Sequence, residues 1–264
     1  MANDIARVNE FKSVLNDKGI RAQLKNTLKE NSGAFMSSMI DLYSGDSYLQ
    51  RCDPHAVAME CLKAASLKLP LVKSLGLSYV VPYKNVPTFI IGYKGLIQLG
   101  QRSGMYKTIN ADVVYKGEYI SKDKLSGSID LSGEAESDEI VGYFGYFKLI
   151  NGFEKTLYMS REEAEAWRDR YSKTKSNQTP WYTEFDKMAM KTALRRLIGT
   201  YGPMSNGMQL ALTYDAESDA EPDKPARQAG PKTPIPEAEV VNEPEMTEEE
   251  YQQLILEQTE KEGF

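Results

Sequence analysis

Residues 61–111 contain no aspartate or glutamate but seven lysines or arginines: Lys63, Lys68, Lys73, Lys84, Lys94, Arg102 and Lys107. In a chain that is 27% charged and biased towards acid, such a window constrains the fold, because its cations have no neutralising neighbours in sequence. They must meet acids from other segments, face water, or face an anion. At its centre, residues 93–103 read as a helix. At about 100° per residue, Lys94, Gln98, Gln101 and Arg102 share one face, and Tyr93, Leu96, Ile97 and Gly100 lie opposite. Solvated helix faces usually mix signs to gain i,i+4 pairs. This face holds only cations and carboxamides, which points to an anionic partner; the alternative is a solvated face whose acids lie elsewhere in the fold.

A chain of 264 residues with 41% hydrophobic content fits one large domain, or one domain and a tail. No run reaches the ~18–20 apolar residues of a membrane-spanning helix. The first fifteen residues lack the apolar stretch of a secretory signal. A cytoplasmic location without membrane partners is expected. Cys52 and Cys61, if on one helix, stand about 13 Å apart at 1.5 Å per residue. That is too far for a disulfide, so they read as packed thiols in a reducing compartment. The net charge of −6 divides unevenly. Residues 215–264 carry fifteen acids against four bases, a balance of −11, which leaves residues 1–214 at +5. A basic body suits polyanions. The acidic tail has another partner, or competes for the body's basic surface.

Ile5, Val8, Phe11, Leu15, Leu24 and Leu28 give residues 1–30 a helical period, with Gly19 as a possible break. Residues 33–43 read as a second apolar helix. Asp53-Pro54 is an N-cap followed by proline at the first helical position, and that helix is expected to run to Lys68. Residues 78–82 and 88–93 read as a hairpin that delivers the chain into the basic helix. Residues 105–119 resume extended structure. Residues 121–139 are polar with six acids, either a solvated loop or a source of metal ligands. Asn151-Gly152 predicts a type I′ turn between two strands. Ser160 and Glu163 form a capping box for a helix ending near Arg170, and an acid-free loop with Lys173 and Lys175 follows.

A second basic element occupies residues 181–200 as one helix, with Gly202-Pro203 as its stop. Lys187, Lys191 and Arg195 recur every four residues as a stripe. Arg196 points about 100° away and is expected to pair with an acid inside the fold. No acid occurs between residues 187 and 214. Beyond 214, six of the twelve prolines fall within residues 222–244, the composition of a disordered linker. Residues 247–264 resemble a short capped helix, too small to fold alone. The expected fold class is α+β: an antiparallel sheet of hairpins packed with helices, plus N-terminal helices and a disordered acidic C-terminal tail. The expected organisation is an N-terminal helical region for packing or oligomerisation (1–45), a core (46–214) and a tail (215–264).

No GxxxxGK[ST], GxGxxG or GxSxG motif occurs. One histidine, His55, and two cysteines make no zinc spacing; His55 reads as a structural first-turn residue. No cofactor, metal or bond-making catalysis is expected. Polyanion binding remains: lysine and arginine neutralise phosphates with release of counterions, and Gln98, Gln101, Thr108 and Asn110 can donate to phosphate oxygens. Tyr83, Tyr93 and Tyr106 either stack on bases or belong to the core.

The segments AMECLKAASLKLPLVKSLGLSYVVPY and FIIGYKGLIQLGQRSGMYKTINADVVYKGE closely resemble the core of phage and prophage RecT recombinases, and FDKMAMKTALRRLIG resembles that family's second signature. The resemblance covers roughly residues 30–210. It implies ATP-independent annealing of complementary single DNA strands in homologous recombination and repair, by proteins that assemble into rings or helical filaments. It carries Lys94, Gln98, Arg102, Lys107, Thr108 and Asn110 into a first DNA-binding signature, and Lys187, Lys191, Arg195 and Arg196 into a second. Implied partners are single-stranded DNA, the annealed duplex and other copies of the chain, with a phage exonuclease or host single-strand-binding protein as candidates for the tail. The competing expectations are a metal-dependent nuclease using carboxylates of residues 123–139, and a passive single-strand coat.

Overall fold

Helix α1 (Ala2–Leu15) and helix α2 (Lys18–Leu28) share the apolar period read from residues 1–30. The break falls before Gly19, because the Asp17 carboxylate accepts from Gly19 N at 2.8 Å and Ile20 N at 3.2 Å and so caps α2. Phe11 and Leu15 are buried, whereas Ile5 faces solvent. Helix α3 (Ser32–Ser44) buries Met39 and Tyr43, and the Tyr43 ring stacks on Phe11 at 4.3 Å. Helix α4 (Pro54–Ser66) starts as expected: the Asp53 carboxylate accepts from Ala56 N at 2.7 Å. Cys61 lies on α4, but Cys52 precedes it; both are buried free thiols.

The computed structural model describes residues 2–172 and 179–219, with side chains in 5–172 and 179–216. All belong to one compact unit, Met1–Glu221; the unit Pro222–Phe264 lies outside the described residues. The sequence readings for Lys173, Lys175 and the tail's linker and helix therefore fall outside them.

Strands β1 (Ser78–Tyr83) and β2 (Val86–Ile91) form the expected hairpin. Its two-residue turn is Lys84-Asn85, with φ of 49° and 65°. Positive φ at both central positions is the type I′ requirement. Phe89 N donates to the Glu60 carboxylate at 2.7 Å, which ties β2 to α4. Helix α5 (Tyr93–Arg102) follows directly. Strand β3 (Tyr106–Tyr115) pairs antiparallel with a later strand, and a minor ribbon of β4 (Ser121–Lys122) and β5 (Ile129–Asp130) interrupts the acidic loop. Strands β6 (Ile140–Leu149) and β7 (Glu154–Ser160) complete a three-stranded sheet in the order β3-β6-β7. The type I′ turn expected at Asn151-Gly152 is absent. Only Gly152 has positive φ (90°), and the Asn151 carboxamide accepts from Phe153 N within a wider loop.

Helix α6 (Arg161–Tyr171) carries the complete Ser160–Glu163 capping box. The helix expected over 181–200 is two: α7 (Pro180–Thr183) and α8 (Phe185–Tyr201), broken where Glu184 leaves helical geometry at φ −141°. Helix α8 is the central post. Its Ala193, Leu194, Leu197 and Ile198 are fully buried, and it packs on α5 and the three-stranded sheet. Gly145 of β6 lets the sheet approach it closely: a Cβ there would lie 3.0 Å from Leu194 Cα. A further helix, α9 (Asn206–Asp219), has no counterpart in the sequence reading; it packs on α5 and β2, burying Met208 and Ala211. The architecture is α+β and antiparallel throughout, divided among three small sheets.

Candidate nucleic-acid interface

Two glycines decide where α5 sits. A Cβ on Gly92 would stand 2.2 Å from the Gly76 carbonyl oxygen, and one on Gly95 would stand 2.2 Å from that of Leu77. The first turn of α5 therefore lies backbone to backbone against the Gly76–Leu77 bend. This brings Lys94 to the mouth of a cleft of about 350 Å3 between α5 and α8. Val81, Ile90, Ile91 and Met188 give it an apolar lining, and Tyr79 and Tyr93 an aromatic one. Lys73, Lys187 and Lys191 also line it, as does Glu184, and Lys73 pairs with the Asp46 carboxylate at 3.1 Å. Burial, more than any charge nearby, raises the Tyr79 hydroxyl pKa above its ordinary value.

The structure brings Lys94, Lys187 and Lys191 together at this cleft, although almost a hundred residues separate the two elements. Lys107, Thr108 and Asn110 lie elsewhere, exposed on β3, with Lys107 at a bulge between Tyr106 and Thr108. Gln98 is half-buried, and its side-chain oxygen has no partner among the described residues.

The expectation that both basic elements carry uncompensated charge is corrected. The Arg102 guanidinium donates to the carbonyls of Leu67 at 2.6 Å and Lys68 at 3.2 Å, closing the C-terminal end of α4. Partial burial lowers its pKa. Lys187 pairs with Glu184 at 2.6 Å on the surface. Lys191 is 5% exposed and lies 2.5 Å from the Asp215 carboxylate, which Arg195 also meets at 2.8 Å. The acid-free stretch 187–214 ends one residue short of this carboxylate. Arg196, expected to meet an acid inside the fold, is instead exposed and lies over the Trp167 ring at 5.1 Å, a cation–π contact, and against the Met159 sulfur. Among the named tyrosines, Tyr93 lines the cleft and Tyr83 is half-buried near the hairpin turn. Tyr106 is corrected: it is 8% exposed, its hydroxyl donates to the Pro203 carbonyl, and its ring meets Phe147 edge-on. It offers no face to a base. Tyr79 and Lys73 were missed as site residues. Strand alternation was the available signal for Tyr79, since Ser78 and Val80 on the opposite side are buried.

Among the described residues, no three histidine, cysteine or carboxylate side chains gather as a metal site. No described helix is long and apolar enough to cross a membrane.

The chain matches the RecT family profile over residues 33–228, most of its length. It belongs to the RecT family and is, in general terms, a recombination protein of the single-strand annealing class. Among curated proteins it is similar to the uncharacterised protein YqaK of Bacillus subtilis (strain 168), at 35% identity over 209 residues, covering 79% of this chain and 72% of that one. It is also similar to Protein RecT of Escherichia coli (strain K12), at 33% identity over 181 residues, covering 63% of this chain and 65% of that one.

Proposed function

We propose that this protein pairs complementary single DNA strands without a nucleotide cofactor, holding sugar-phosphate at the mouth of the α5–α8 cleft. The observation that carries the reading is the convergence of Lys94, Lys73 and Lys187, from three separate segments, on one opening. Contacts to phosphate carry no sequence information, so any two complementary strands can be tested against each other. The duplex formed supplies the driving free energy. Lys94 and Lys187 bind phosphate directly, and the exposed Lys107, Thr108 and Asn110 on β3 contact a more distant part of the strand. Arg102, Lys191 and Arg195 act chiefly by holding α4, α8 and α9 in place. Gln98 turns its carboxamide to DNA, and Arg196 adds to the positive surface. Residues 1–45 serve assembly into a ring or filament, which raises the local concentration of bound strands. The C-terminal residues recruit a phage exonuclease or a host single-strand-binding protein.

The test is sequential addition of two complementary oligonucleotides without ATP, with and without Mg2+. Accelerated duplex formation with strands of unchanged length is expected. Protection with slowed pairing would make the protein a passive coat, and Mg2+-dependent shortening would make it a nuclease. Lys94→Ala and Lys187→Ala are each expected to weaken binding and reduce the salt slope by about one. An unchanged slope in both would overturn the cleft as the phosphate site.

A further inference from the structure

We infer that the α5–α8 cleft seats one unstacked nucleobase of the bound strand, behind the lysines that hold its phosphates. The inference deepens the proposed function and rests on it. A site for phosphate alone needs only a cationic surface. This one is lined in part by apolar side chains, Val81, Ile91 and Met188, against which a phosphate would lose hydration without compensation. A volume of about 350 Å3 is at the lower end of pockets that enclose small organic ligands, which suits a single planar ring system. Tyr79 and Tyr93 supply aromatic surface. Stacking of this kind tolerates every base, because each has a π-face.

The polar groups fit the same occupant. Tyr79 brings a hydroxyl, Ser74 an exposed one, and Glu184 a carboxylate that accepts. These few polar groups can meet base edges without selecting one base. Lys94 is placed to neutralise a phosphate flanking a base that enters, and Lys73 and Lys187 can exchange their carboxylate partners, Asp46 and Glu184, for another. One anchored base per protein copy would fix the strand's register on an assembly, leaving the neighbouring bases free to pair.

The experiment compares wild-type binding to a natural oligonucleotide and to an equal-length strand of abasic tetrahydrofuran residues, at matched salt. The base seat predicts at least about tenfold tighter binding of the natural strand, with similar salt slopes for the two. In Met188→Trp, which fills part of the cleft, the ratio of the two affinities is expected to fall towards one. Equal affinities in the wild-type protein, both salt-dependent, would overturn the base seat and leave the phosphate reading standing. A ratio unchanged by Met188→Trp would also overturn it, by placing the base contacts elsewhere. Failure to bind either strand would overturn both readings.

Discussion

Asp215→Asn isolates the buried ion triad of Lys191, Asp215 and Arg195. The wild-type carboxylate is fully buried, with the Lys191 side chain 6% exposed on one oxygen and the Arg195 side chain 26% exposed on the other. The substitution keeps the shape and removes the charge. Arg195 can turn its guanidinium to water, whereas Lys191, with its side chain 6% exposed, cannot without disrupting the packing around it. Removing one partner of a buried pair costs about 3–5 kcal/mol, because the other charge is stranded. With Arg195 largely relieved by solvent, about 3 kcal/mol is expected here, a large part of the roughly 5–15 kcal/mol that holds a domain together. At a urea slope of about 3 kcal/mol per molar, the unfolding midpoint should drop by about 1 M. Adding Lys191→Met removes the stranded ammonium, so the double variant should recover most of the loss. Urea titration of the full chain followed by circular dichroism is the assay. A cost below about 1 kcal/mol for Asp215→Asn, or a double variant no more stable than the single, would refute the reasoning. Lys191 would then be solvated and available to phosphate after all.

Three further outcomes follow from other parts of the molecule. Glu184→Gln releases Lys187 from its 2.6 Å pair and should tighten single-strand binding severalfold at low salt, with the advantage vanishing at high salt; filter binding across a salt series checks it. Gly95→Ala forces a methyl to 2.2 Å from the Leu77 carbonyl oxygen, and the resulting overpacking should cost about 1–3 kcal/mol in a urea titration and loosen the cleft wall. Burial pushes the Tyr106 hydroxyl up to about 12 from 10.0 and raises Tyr43 and Tyr143 as well. The folded chain thus keeps protons that the unfolded chain releases above about pH 10, so stability is whole below that pH and falls above it. Urea midpoints at about pH 9 and about pH 11 should show the decline, and Tyr106→Phe should lessen it.

Local signals carried much of the architecture. Asp53, Ser160 and the apolar periods of α1 to α4 act within a few residues of themselves, so their elements were legible before any packing was known. Turn chemistry was less reliable. Asn151-Gly152 has the stronger I′ signature, yet it was Lys84-Asn85 that adopted the geometry, because the β1–β2 register leaves only two residues to reverse the chain. Helix α9 escaped because Gly202-Pro203 ended α8 and its last turn runs past residue 214 into the acidic segment that reads as linker. The site suffered most from distance. A cation looks unpaired in a sequence window when its partner is a carbonyl 34 residues away, as for Arg102, or a carboxylate 20 or more residues on, as for Arg195 and Lys191. The approach of Gly92 and Gly95 to Gly76 and Leu77, which creates the cleft, has no signature in composition at all.

The placement of Asp215 also bears on how the acidic segment should be cut away when its role is tested. Charge counting draws the border after residue 214, yet α9 runs through it to Asp219. A truncation there would sever a helix mid-turn and discard the counter-ion of Lys191 and Arg195. Any loss of strand pairing would then report a damaged body instead of a missing recruitment arm. Trimming after Glu221, at the edge of the compact unit, avoids that confusion.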